Sequence, residues 1–87
     1  MTKQSVFKVL SDENRFNIFM KLLEYDELCV SEIEELLGIK QSNTSKHLRL
    51  LKKYNIVAFK RDKNMVIYRI DKDFLSENTD LIRYLLV

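Results

Sequence analysis

Proline is absent from this 87-residue chain and glycine occurs once, which argues against a turn-rich sandwich and, with 46% hydrophobic and 32% charged residues, favours a globular, mostly helical protein over a disordered one. A core this small does not divide into two stable halves, so a single domain over residues 1–87 is expected. One cysteine, Cys29, leaves no partner for an internal disulfide, in keeping with a reducing compartment. No apolar run approaches the roughly 18 residues of a membrane span, and Met1 to Lys8 lacks the charged-then-apolar order of a signal peptide. A cytoplasmic protein with no membrane partner is expected, and Asn43-Thr44-Ser45 reads as a chance glycosylation sequon. A single histidine, no glycine-rich phosphate loop and no completed metal motif leave little from which to build a catalytic site, so neither an enzyme nor a cofactor is expected.

Acid is also scarce where base is dense. The net charge is +2, but residues 1–40 hold 5 basic and 8 acidic side chains, residues 41–69 hold 8 and 1, and residues 70–87 hold 2 and 4. A solvated surface is served equally well by mixed signs, so single-sign clustering in the middle third points to a polyanionic partner.

No internal repeat or linker interrupts the chain. Val6, Phe7, Val9 and Leu10 suggest a short first helix. Ser11 is placed to cap a second through Phe16, Phe19, Leu22 and Leu23, with Asp12 and Glu13 in its first turn. Ser31-Glu32-Ile33-Glu34 has the form of a capping box, predicting a third helix through Ile33, Leu36 and Leu37 that stops at Gly38. A fourth is predicted from about Gln41 to Tyr54, ended by Asn55; two short helices joined by a tight glycine-containing turn form a helix-turn-helix pattern. The β-rich runs 56–60 and 65–70, joined by Arg61-Asp62-Lys63-Asn64, predict a hairpin with a basic tip. Asp71 or Asp73 then caps a last helix with Phe74, Leu75, Leu81, Ile82, Leu85 and Leu86 in its stripe. The expected fold is mostly α, about five helices, with a small β-hairpin wing.

The segment QSNTSKHLRLLKKYN carries five basic side chains counting His47, no acid and a run of small polar residues that helix formation does not require. At about 100° per residue, Thr44, Leu48 and Leu51 share one face, while Ser42, Ser45, Lys46, Arg49 and Lys53 lie on the other. Such a helix suits the major groove of DNA. Gln41 and Asn43 offer paired amide groups suited to adenine, Ser42 and Ser45 can bond a base or phosphate, and Lys46, Arg49 and Lys53 supply charge along the groove. Lys60, Arg61 and Lys63 on the hairpin reach for adjoining backbone or minor groove. Helix capping or plain solvation accounts for any one of these residues, but not as readily for the combination. His47, near the edge of the apolar face, is better placed for a bond within the domain and is not counted in the site.

Leu10-Ser11-Asp12 with Arg15 and Ile18, followed by GIKQSNTSKHLRLLKKYNIV and the hairpin, resembles the ArsR/SmtB family of winged helix-turn-helix repressors over nearly the whole chain. The Gln-Ser-x-x-Ser-x-His-Leu core is the more specific part. The resemblance implies a DNA-binding transcriptional regulator, with Gln41, Ser42, Ser45 and Lys46 in the groove and the first and last helices forming a homodimer. Val6, Phe7, Leu10, Leu81, Ile82 and Leu85 are the expected dimer residues, since a small core does not easily cover both terminal stripes. Folding of those helices back onto their own core is the competing arrangement. Two-fold symmetry implies a near-palindromic operator with half-sites about one helical turn apart.

The same resemblance raises metal sensing. Members of the family often use a Cys-Val-Cys motif at the third helix, where this chain has Cys29-Val30-Ser31, and serine is a poor ligand for a soft metal. A second family site uses histidines and carboxylates of the last helix. Here Asp71, Asp73, Glu77 and Asp80 have no histidine among them, so no metal site is expected. Cys29 remains either a redox-sensitive thiol near a helix start or a small buried hydrophobe. A winged-helix module that turns its basic face to an acidic protein is the other functional class, and discrimination between DNA sequences separates the two.

Overall fold

The computed structural model describes residues 3–87. In chain order these form α1 (Lys3–Leu10), α2 (Glu13–Tyr25), β1 (Leu28–Cys29), α3 (Val30–Leu37), α4 (Gln41–Lys53), β2 (Val57–Asp62), β3 (Met65–Ile70), α5 (Lys72–Glu77) and α6 (Thr79–Leu86). This is the expected winged helix-turn-helix, mostly helical with a small sheet.

Local chemistry sets the element boundaries, in places other than those expected. Asp12, not Ser11, caps α2: its carboxylate accepts the N–H of Arg15 at 3.1 Å. Ser11 instead donates its hydroxyl to the Lys8 carbonyl at 2.7 Å, satisfying an orphan acceptor at the end of α1. A full negative charge at a helix start gains from the dipole as well as from the hydrogen bond, which favours aspartate at the cap.

The cap of α3 lies two residues before the expected Ser31. Cys29 is its cap, and the carboxylate of Glu32 reaches back to the Cys29 N–H at 2.8 Å. The chain passes directly from β1 into this helix. α3 ends as predicted at Gly38, whose φ of 66° is left-handed and whose N–H returns to the Glu34 carbonyl at 2.8 Å. A Cβ there would meet nothing within 4 Å, so glycine is favoured by its backbone angle rather than by space.

The sheet has order β1-β3-β2 and is antiparallel throughout. β1 was not expected. Its two residues pair Leu28 with Tyr68 and Cys29 with Ile67, and two residues carry no period from which a strand could be read. β2 continues beyond the expected end: Arg61 opposes Val66 and Asp62 opposes Met65, leaving only Lys63 and Asn64 as the tip. Lys63 makes this tight turn possible by taking φ 58°.

The last segment is two helices rather than one. Asp71 caps α5 by accepting the N–H groups of Asp73 and Phe74, so Asp73 sits in the first turn instead of capping. Asn78 leaves helical geometry at φ −125° and ψ 34°, and its amide donates to the Phe74 carbonyl at 3.0 Å, completing α5 before α6 departs. The described residues form six helices where about five were expected.

One buried cluster joins these elements: Ile18, Phe19 and Leu22 of α2, Ile33 of α3, Leu48 and Leu51 of α4, Ile56, Val57, Ile70 and Phe74. Phe19 and Phe74 meet edge to face at 5.8 Å. Each large side chain buried here contributes about 1.5–3 kcal/mol relative to exposure, and together they fix α4 against α2 and α3.

Candidate nucleic-acid interface

α4 is held by its inner face. Thr44, Leu48 and Leu51 are buried, and the Thr44 hydroxyl is bonded to the Lys40 carbonyl at 3.1 Å, so this face has no polar group left over. The opposite face is thereby presented outward. Gln41, Ser42, Asn43, Lys46, Arg49 and Lys53 are exposed, and Ser45 is half-buried beside them. Lys40, the residue before the helix, makes no side-chain cap. Lys52 and Lys53 in the last turn oppose the negative end of the helix dipole, which lets this helix carry cations without an internal acidic partner.

The wing supplies a second basic edge. Lys60, Arg61 and Lys63 are all exposed, as is Met65 at the tip. Lys60 is not free: its ammonium lies 3.2 Å from the Glu27 carboxylate, in the loop leading into β1. Both partners are solvent-exposed, so this pair contributes little and yields readily to a phosphate. Tyr68 of β3 meets Phe59 of β2 across the wing, the ring centroids 5.6 Å apart and the planes tilted by 43°. Burial pushes its hydroxyl above the usual tyrosine range, while the charges of Arg49 from α4 and Arg61 from β2 pull it down. The two arginines act on this one group from different elements, α4 and β2.

Arg15 has a role the sequence did not disclose. From α2, its Nη1 lies 3.4 Å from Nδ1 of His47 on α4, while its Nε donates to the Val9 carbonyl at 2.7 Å. His47 is thus engaged within the domain, as its angular position implied. Arg15 also lies 3.8 Å from Asp12. The Arg15 N–H is the main reason the Asp12 carboxyl lies below the usual range, and it outweighs the upward pull of burial; the charges of Arg15 and His47 add to the lowering.

The six residues expected to form a dimer surface divide. Val6 and Leu10 lie in the domain's own core at 4% and 7% exposure, and Leu81, Ile82 and Leu85 are partly buried against it. Phe7 is 58% exposed. An apolar groove of about 790 Å³ runs between α1 and α6, lined by Val6, Phe7, Leu10, Leu81 and Leu85, with the exposed Tyr84 at its side. The terminal helices thus fold back on the core and still leave an uncovered apolar face.

Cys29 is buried, with its Sγ 3.2 Å from the Ser31 hydroxyl. Among the described residues no three His, Cys, Asp or Glu side chains gather as a metal-holding group, and one thiol beside a neutral hydroxyl does not fit the thiolate set that a soft metal needs. No helix among the described residues is long and apolar enough to cross a membrane.

Comparison with known proteins gives a consistent picture. The family model described as bacterial regulatory protein, arsR family, matches residues 12–58. The chain is 44% identical over 64 residues to the cadmium resistance transcriptional regulatory protein CadC of Listeria innocua, covering 74% of this chain and 54% of that one. It is 35% identical over 65 residues to the arsenical resistance operon repressor of Escherichia coli K12, covering 75% and 56%. The chain thus spans about half the length of these curated relatives. Among solved structures, the homodimeric winged helix-turn-helix DNA-binding domain Mb0332 of Mycobacterium bovis, described as a possible ArsR-family transcriptional regulator, superposes with a TM-score of 0.78 at 25% identity, covering 93% of this chain and 74% of that one.

Proposed function

Since the chain belongs to the bacterial ArsR family of regulatory proteins, we propose that it is a sequence-specific double-stranded DNA-binding transcriptional regulator, a homodimeric cytoplasmic repressor that covers promoter DNA. The observation that carries this reading is the division of α4, with its apolar face in the core and an outer face of amide, hydroxyl and cationic groups without an acid. Gln41, Ser42, Asn43 and Ser45 read base edges; Lys46, Arg49 and Lys53 hold the groove; Lys60, Arg61 and Lys63 bind the flanking backbone. The uncovered face of α1 and α6 takes a second copy, supported by the homodimeric state named for the Mb0332 domain. Two α4 helices related by a two-fold axis then require near-palindromic half-sites about one helical turn apart.

Release by a soft metal is not part of this proposal, because Ser31 stands where a second thiolate is needed. The test is a fluorescence-anisotropy titration against DNA from upstream of the protein's own gene and a scrambled duplex, at about 0.15 M salt. A preference of about a hundredfold is expected. Strong capture of an acidic protein with no preference between DNA sequences would instead favour a protein-binding module.

A further inference from the structure

His47 has one ring nitrogen committed and one unengaged. A guanidinium keeps its protons and has no lone pair to offer, so across the 3.4 Å contact Arg15 Nη1 is the donor and His47 Nδ1 the acceptor. In the neutral imidazole the proton then resides on Nε2. Arg15 is itself fixed, by Nε to the Val9 carbonyl and by its own backbone N–H to Asp12, so the donor it presents to His47 is pre-positioned. Nε2 lies across the ring and points away from Arg15. Among the described residues it has no hydrogen-bond partner, and His47 as a whole is half-buried.

His47 borders a surface rimmed by cationic residues. A shallow concavity of about 230 Å³ between α2 and α4 is lined by Arg15, Lys46, His47, Arg49, Leu50 and Lys53. Lys46, Arg49 and Lys53 come from the same helix, and Arg15 comes from α2. The carboxylate shown to act on His47, Asp12, is already engaged by Arg15. A neutral donor flanked by exposed cations suits an oxyanion, and the oxyanion that DNA brings to the side of a groove-bound helix is a backbone phosphate. We infer that Arg15 is a positioning residue that locks His47 in the Nε2–H tautomer, and that this N–H donates to a DNA backbone phosphate beside α4. The phosphate contact rests on the DNA-binding reading above; the tautomer lock does not.

The chain has one histidine, so its imidazole nitrogens are assignable without ambiguity. Long-range proton–nitrogen spectra of the free protein at about pH 8, above the ordinary histidine range, should show Nδ1 unprotonated and Nε2 protonated, with both moving toward averaged values in Arg15→Met. A protonated Nδ1, or spectra that Arg15→Met leaves unchanged, would overturn the lock. In anisotropy titrations, His47→Ala should weaken binding to upstream and scrambled duplexes alike by about tenfold, without changing the salt slope, because a neutral donor releases no counterion. His47→Gln, whose amide can accept from Arg15 and still donate, should recover most of that loss. Undiminished affinity in His47→Ala that still discriminates the duplexes, or a flattened salt slope, overturns the phosphate contact. A wild-type protein that does not discriminate them overturns the DNA-binding reading and the contact with it, while the tautomer result stands.

Discussion

The Glu32 carboxylate accepts the Cys29 N–H at 2.8 Å across the junction where β1 becomes α3. This bond ties a strand residue paired with the wing to the first helix of the helix-turn-helix, so wing and helix-turn-helix share one anchor. The Cys29 N–H is also the main reason the Glu32 carboxyl lies below its usual value.

A stability difference that depends on pH follows for Glu32→Gln. A carboxyl lowered on folding stabilises the protein above its unfolded value and loses that contribution as pH falls through the folded one. The thermal midpoint of wild type should therefore exceed that of Glu32→Gln at neutral pH, and the two should converge as the solution is acidified below the ordinary glutamate range. A gap that stays constant down to acid pH would show that the charge on Glu32 is not what matters.

Gly38→Ala should cost about 1 kcal/mol, and Gly38→Asn less, because the strain lies in the left-handed angle and a Cβ has open space to enter. Urea unfolding measures this directly. A loss of several kcal/mol would mean that the turn between α3 and α4 is crowded.

Base reading and phosphate binding respond differently to truncation. Gln41→Ala and Ser45→Ala should weaken the upstream duplex by about 1–3 kcal/mol while affecting scrambled DNA less. Lys63→Ala should weaken both similarly and lower the salt slope by about one unit. Equal losses on all DNA for all three variants would remove the assignment of base contacts to α4.

Dimerisation is best tested where the monomer leaves a side chain uncovered. Phe7→Glu should give monomers by sedimentation and reduce DNA affinity in step, with the domain still folded, since Phe7 is 58% exposed. Leu81→Glu and Leu85→Glu would also disturb packing against the domain's own core. A wild-type protein that sediments as a monomer at working concentration would refute the dimer.

The parts of this fold legible in advance are those that a local period or a single backbone angle determines. The buried trio Thr44, Leu48 and Leu51, the stop at Gly38 and the two long wing strands follow from residue spacing, because burying one face of a helix or strand imposes its period on the side chains. Boundaries were less legible. Ser11 and Asp12 are both good caps, and the choice between them depends on which orphan backbone group each meets. Asn78 breaks the last helix at φ −125° with its N–H on the carbonyl of Phe74, a residue held in the core against Phe19, and that distant contact is not written in the local pattern.

Sequence by itself determined the helix-turn-helix, the wing and the outward basic and amide face of α4, since these follow from composition and phase within short stretches of chain. Only the tertiary structure decided that Leu28 and Cys29 form a strand, that Val6 and Leu10 belong to the core while Phe7 does not, and that Arg15 meets His47 from 32 residues away. Each of these depends on a partner distant along the chain, and a local pattern holds no information about which distant group will be brought within hydrogen-bonding or packing distance.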